Sequence, residues 1–129
     1  MEHPNAETVR RGFKAFGQGD MVTAKSIFRP NVIWHVPGDG PLSGDLHGFD
    51  AIARWGSEIV TRTDGKFGEE LVALLANDDW VVQLAKYHAE RNGRTIEDFT
   101  WNIYHMVEGQ VAECWVGFGD LKGFESLWK

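Results

Sequence analysis

Val9, Phe13 and Phe16 fall at i, i+4 and i+7 of NAETVRRGFKAFGQGD, one apolar stripe on a polar segment, and this predicts an amphipathic helix. Asn5 stands at the expected N-cap, and the Gly17 to Gly19 segment is the stop signal. Asp20 then caps a short second helix with Ala24, Ile27 and Phe28 inward, and Pro30 is read as its end. NVIWHV, rich in β-branched and aromatic residues, is a short strand. The glycines and prolines of PGDGPLSG turn the chain sharply and read as a rim or lid over a pocket mouth. Asp50 opens a third helix, in which Ile52, Trp55 and Ile59 repeat the helical spacing.

From Leu71 the period changes to two. Three long strand-like runs follow: ELVALLA leading into DDWVVQLAKYHAER, then RTIEDFTWNIYHM, then QVAECWVGF, before a short amphipathic end, DLKGFESLW. Helices first and antiparallel strands afterwards is the α+β pattern, a curved antiparallel sheet with helices packed on one face.

The turns decide which side chains share a face. Asn92-Gly93 is a type I′ hairpin signal. It pairs Arg91 with Arg94 and, counting back, Tyr87 with Asp98, Ala85 with Thr100, Gln83 with Asn102 and Val81 with Tyr104. A three-residue loop from Val107 to Gly109 then sets Asn102 opposite Cys114 and Trp101 opposite Trp115. One face so defined is strongly apolar: Trp80, Val82, Leu84, Phe99, Trp101, Ile103 and Trp115. The other mixes neutral polar groups with aromatics: Gln83, Tyr87, Asp98, Thr100, Asn102, Tyr104, Cys114, Val116 and Phe118. That mixture is how ligand pockets are lined, and an ordinary half-exposed surface is the alternative.

Composition narrows the classes. The chain of 129 residues has the length of one domain, and its 43% hydrophobic share with six Trp and eight Phe is that of a folded protein. A net charge of −6 and a pI near 5.3 argue against nucleic acid as a partner. No apolar run approaches the roughly 20 residues of a membrane span, so the cytoplasm is the expected location. Cys114 is the single cysteine, which rules out an intrachain disulfide; within VAECWVGF a buried packing role is favoured over a nucleophile.

AFGQGD at the first helix end, FRPNVIWHVPG into the first strand, SGDLHGFDAI into the third helix and EGQVAECW in the last hairpin resemble the nuclear transport factor 2-like superfamily. The likeness is to its SnoaL-like branch of polyketide cyclases and ketosteroid isomerase relatives, and it covers nearly the whole chain as one domain, 1–129. The resemblance implies a cone-shaped fold whose sheet and helices enclose one deep apolar pocket for a small apolar molecule. It also implies a homodimer through the outer sheet face, which puts the mixed face inward.

Ketosteroid isomerases use an Asp base on the first strand, with a Tyr and a protonated Asp as donors to the enolate oxygen. The resemblance places Gly12 at the Tyr, Val36 at the base and Asn102 at the oxyanion Asp. An amide can still donate, but Val36 cannot take a proton, so that route to steroid isomerisation is not expected.

His35, next to the family's base position, is then the candidate general base, although strand parity turns it out of the pocket if Val36 points in. Tyr87 opposite Asp98 reads as a proton-transfer couple or as a surface pair near a hairpin end. Asn102 and Gln83 are candidate donors to a ligand carbonyl. Trp34, Val36, Thr100, Tyr104, Cys114, Val116 and Phe118 are the expected ligand-binding wall. His35, Asp39, Asp45 and His47 match no metal-site spacing, and GDGPLSG lacks the Lys-Ser/Thr of a phosphate loop. No metal and no cofactor are expected. Two functions stay open: an enzyme moving protons on a small apolar oxygenated molecule by cyclisation, isomerisation or hydration, and a noncatalytic binding or dimerisation module. The polar residues of the mixed face favour the enzyme.

Overall fold

The computed structural model describes residues 1–129. Helix α1, Pro4–Gln18, begins with a proline whose missing N–H would have no intrahelical partner anyway. Its N-cap is His3, whose Nδ1 accepts from the Asn5 N–H at 3.0 Å, so Asn5 is not the cap. Asn5 is buried instead, and its Nδ2 donates to the carbonyls of Asn77 and Asp78. Gly19, in the left-handed conformation, closes the helix. Asp20 caps α2, Met21–Ser26, by accepting from the Thr23 N–H.

Strand β1, Phe28–Val36, starts ahead of Pro30, which is therefore inside the strand and does not end α2. With no N–H for the ladder, Pro30 sits where the pairing of β1 breaks register between Phe28 and Ile33. The glycine-rich loop contains a short edge strand, β2, Gly44–His47, before α3, Phe49–Arg62. ELVALLA and the run after it are two strands, β3 (Phe67–Ala76) and β4 (Trp80–Arg91). They are separated by a turn in which Asn77 Oδ1 accepts from the N–H groups of Asp79 and Trp80. Then come β5 (Arg94–Val107), β6 (Gln110–Phe118) and α4 (Leu121–Ser126).

The six strands form one curved, unclosed sheet in the order β2-β1-β6-β5-β4-β3. It is antiparallel except for β1 beside β6, which run parallel because the chain leaves β1–β2 through α3 and re-enters at the far edge as β3. The β4–β5 register is the one the Asn92-Gly93 turn predicts, from Arg91 with Arg94 to Trp80 with His105. At β5–β6 the turn has two residues, Glu108 and Gly109, so Val107 faces Gln110, and a bulge at Ala112 adds a second offset. Asn102 therefore faces Val116, not Cys114, and Trp101 faces Gly117, not Trp115. One offset alone would have exchanged the two faces of β6; two restore them.

The mixed face looks inward. Gln83, Tyr87, Thr100, Tyr104, Cys114 and Val116 are all buried, whereas Trp80, Phe99, Ile103 and Trp115 on the opposite face are each more than a third exposed. Val9, Ile27, Phe28, Trp34 and Ile52 join this inner face in one apolar cluster. Leu42, Ile59, Phe124, Leu127 and Trp128 form a second around Tyr87.

Gly117 lies under the Trp101 indole, and a Cβ there would overlap the ring. Gly117→Ala is expected to destabilise the fold by roughly 1–3 kcal/mol through overpacking. Urea unfolding monitored by tryptophan fluorescence checks this.

Candidate functional site

Between the inner face, α1 and α3 lies a cavity of about 860 Å³. Its walls are aromatic: Phe13 and Phe16 from α1, Trp55 from α3, Phe67 from β3, and Phe118 stacked on Phe124 at 4.0 Å between ring centroids. Gly12 adds no side chain, and a Cβ there would collide with Ile27. The exposed lining residues come from the end of α1 and the start of α2 (Gly17, Gly19, Met21), from α3 (Arg54, Ser57, Val60) and from the start of β3 (Gly68, Glu69). The loop after β1 is not its lid. Leu42 is buried against Phe124 and Trp128, and its carbonyl accepts from Trp55 Nε1 at 2.9 Å, so that loop seals the α4 end of the molecule.

One carboxylate stands inside. Glu69 lines the cavity from β3, directly across from Tyr87. Its side chain is exposed to the cavity space by surface area, but protein atoms crowd around it, and this partial desolvation, with no cation to oppose it, pushes its pKa up to about 7. Two local events aim it there. The strand begins at Phe67, ahead of the apolar run from Leu71, and a register shift between Leu71 and Ala73 puts Phe67, Glu69 and Leu71 on the face shared with Leu74. With unbroken alternation, Glu70 would have pointed inward. The signal available in the sequence was Glu69 at period two between Phe67 and Leu71.

A polar chain crosses the same wall. Asn102 Nδ2 donates to Tyr104 Oη at 2.9 Å, and Tyr104 Oη donates to Gln83 Oε1 at 3.5 Å. Burial first, then the neighbouring Cys114, hold the Tyr104 phenol well above its ordinary pKa against the opposing bond from Asn102. Thr100 also lines the cavity, but its hydroxyl is bonded to the Gly117 carbonyl at 2.9 Å.

The cavity thus brings together Trp34, Gln83, Tyr87, Thr100, Asn102, Tyr104, Val116 and Phe118 of the expected residues. Others lie elsewhere. His35 points to the outer face, where its ring stacks on Trp115 at 5.3 Å and its nitrogens meet Asp45 (2.7 Å) and Glu113 (2.5 Å). The bonds to Glu113 and Asp45 raise its pKa, and strand alternation removes it from the cavity chemistry. Asp98 makes no hydrogen bond to Tyr87: its Oδ2 accepts from the Asp120 N–H, fixing the turn into α4, and the Tyr87 hydroxyl is buried without a partner, its pKa raised by burial first and then by the Asp98 charge. Val36 and Cys114 pack in the core cluster and do not line the cavity. Of the four loop residues weighed as metal ligands, His35 and Asp45 are bonded to each other, and no group of three His, Cys, Asp or Glu side chains is arranged to hold an ion.

The SnoaL-like domain profile matches residues 9–114. The chain belongs to the SnoaL-like domain family. An uncharacterized protein of Mycobacterium tuberculosis is 27% identical over 123 residues, spanning 95% of this chain and 94% of that protein. The structure of Bal32a, from a soil-derived mobile gene cassette, matches with a TM-score of 0.91 at 34% identity over 98% of this chain and 97% of that one. A protein from Jannaschia sp. CCS1 described as a SnoaL-like polyketide cyclase shares the fold, with a TM-score of 0.80 at 14% identity over 97% and 91% of the two chains. No helix of this SnoaL-like chain is long and apolar enough to cross a membrane.

Glu69 has a measurable consequence for stability. Its folded pKa lies above the unfolded value, so between about pH 4.5 and 7 the native state binds more protons than the unfolded chain, and stability falls as pH rises through that window. Glu69→Gln removes this term. The melting temperature of the variant relative to the unsubstituted protein is expected to climb from pH 4.5 to pH 8; a difference independent of pH would mean that Glu69 titrates as an ordinary surface carboxylate.

Proposed function

We propose that this SnoaL-like protein is an enzyme that moves a proton on a small, apolar, oxygenated molecule held in the cavity, in a cyclisation, isomerisation or hydration. The observation that carries this reading is Glu69. A carboxyl with a pKa near 7 exists in both protonation states around neutral pH, which is what a group that takes a proton and returns it requires. Aromatic walls suit a flat or hydrocarbon body, and the amides and phenol of the inner face suit its oxygen atoms. The fold shared with a polyketide cyclase agrees with this class of chemistry without naming the substrate.

The test uses native mass spectrometry with a panel of aromatic ketones, terpenoids and polyketide-like compounds, followed by deuterium uptake into the bound compounds in D₂O. Uptake is expected to rise with pH through about 7, as Glu69 becomes the base. Glu69→Gln is expected to lower it by about 10²–10⁴-fold with binding retained, the usual span for a general base. Tight binding with no uptake at any pH would mark a noncatalytic carrier.

The exposed Trp80, Phe99, Ile103 and Trp115 belong, in this reading, to a homodimer contact, since an apolar stripe on a sheet face is stabilised by covering it. Sedimentation velocity is expected to give a dimer and, for Trp115→Glu, a monomer with its cavity intact.

A further inference from the structure

We infer that the cavity binds an organic ammonium ion, a protonated amine or a quaternary ammonium on an apolar body, with its charge set between Glu69 and the aromatic walls. This stands whether or not Glu69 moves a proton in catalysis.

Charge is distributed unevenly in the lining, where only Arg54 and Glu69 carry any. Arg54 is exposed on α3 and is not among the groups that act on Glu69. Nothing in the protein bonds to the Glu69 carboxyl, neither a backbone N–H nor a hydroxyl nor a cation. Its charge acts instead on Tyr104, two strands away on the inner face, as expected of a group on the cavity side of the sheet. A carboxylate crowded by protein has lost part of its hydration without gaining a partner. A neutral ligand leaves that deficit in place and an anion deepens it, whereas a cation removes it. The net charge of −6 draws the same class of ligand toward the protein.

The walls decide which cation. Phe67 precedes Glu69 by two residues on the same face of β3, and Tyr87 lies across from Glu69 on β4, with the two rings stacked at 6.2 Å between centroids. Phe13 and Phe16 line the cavity from α1. A metal ion needs several oxygen or nitrogen ligands, and no group of three His, Cys, Asp or Glu side chains is arranged to supply them. An ammonium carried on carbon needs fewer: one carboxylate, and ring faces whose negative potential attracts it. The cavity of about 860 Å³ has room for the apolar body behind the charge. A neutral amine meeting protonated Glu69 reaches the same state. Its nitrogen lone pair takes the carboxyl proton, the O–H electron pair stays on oxygen, and an ion pair results. Either way the bound ammonium holds Glu69 ionised and opposes its use as a proton carrier.

The experiment compares phenyltrimethylammonium with tert-butylbenzene, which has the same shape without the charge, by isothermal titration calorimetry from pH 5 to pH 8. The affinity for phenyltrimethylammonium is expected to rise by close to tenfold per pH unit up to about pH 7 and then to level. The other titratable groups of the wall, Tyr87 and Tyr104, stay neutral throughout because burial holds their protons. Repeating the titration in buffers of different ionisation enthalpy should show nearly one proton released per cation bound at the acid end, and none for tert-butylbenzene. Glu69→Gln is expected to lower the ammonium affinity at pH 8 by about tenfold or more, to end the proton release and to leave tert-butylbenzene unaffected. Glu70→Gln, on the opposite face of β3, should leave both compounds unaffected, which separates a seat at Glu69 from the general attraction of an acidic protein. Phe67→Leu should weaken the ammonium by about 2- to 30-fold more than tert-butylbenzene. Three results overturn the inference: no ammonium binding at pH 8, an affinity independent of pH, or equal losses in Glu69→Gln and Glu70→Gln. If Glu69→Gln does not fold by near-ultraviolet circular dichroism, proton release by the unsubstituted protein decides, its presence supporting the seat at Glu69 and its absence overturning it. Deuterium uptake plays no part here, so a failure of the catalytic reading leaves this result untouched.

Discussion

A β-strand shows its side chains alternately to two faces, and everything in this molecule depends on which of those faces the helices cover. Here α1 and α3 cover the face carrying Gln83, Tyr87, Thr100, Asn102 and Tyr104. The burial of neutral polar groups is sustainable because most of them have partners: Thr100 on a backbone carbonyl, Asn102 on Tyr104. The Tyr87 hydroxyl is an exception, buried with no partner, and two further groups are poorly compensated. Glu69 has no counter-charge, and the Tyr104 proton has a poor acceptor.

A carboxyl crowded by protein with no cation beside it is costly in its charged form, and that cost shows as a raised pKa rather than as a paired charge. The same desolvation that opposes ionisation makes Glu69 useful near neutral pH. His35 illustrates the opposite case. Flanked by Asp45 and Glu113 and stacked on Trp115, it is satisfied on both nitrogens, and it stabilises the outer face of β1 and β6 rather than acting on a ligand.

The outer face has its own logic. His35, Trp115, Trp80 and His105 form a run of neighbouring rings across four strands, with centroid separations of 5.3, 6.0 and 4.9 Å. Trp101 covers Gly117 in the same layer, which is why the strand tolerates a glycine there. The aromatic residues of the sheet thus serve two environments, the cavity wall on one side and an open apolar surface on the other.

Local chemistry was enough to settle most of the architecture. The i, i+4, i+7 stripes of α1 and α3, the left-handed positions at Asn92-Gly93 and the alternation through β4 and β5 are short-range properties, and they sort the side chains onto two faces; the resemblance to the family supplied which of the two looks inward. What sequence could not contain was the sum of small offsets along paired strands. The extra residue at Ala112, the register break beside Pro30 and the shift between Leu71 and Ala73 depend on how neighbouring strands meet; the first and last each move side chains by one place, and the break beside Pro30 is larger. Two offsets cancelled on β6 and left its faces as expected; one on β3 turned Glu69 inward and created the site's only strongly perturbed carboxyl. The glycine-rich loop was equally undetermined, because whether Leu42 lies over a mouth or against α4 depends on contacts with residues some eighty positions later in the chain. Periodicity is written in the chain, but register and long-range packing exist only once the strands and helices meet.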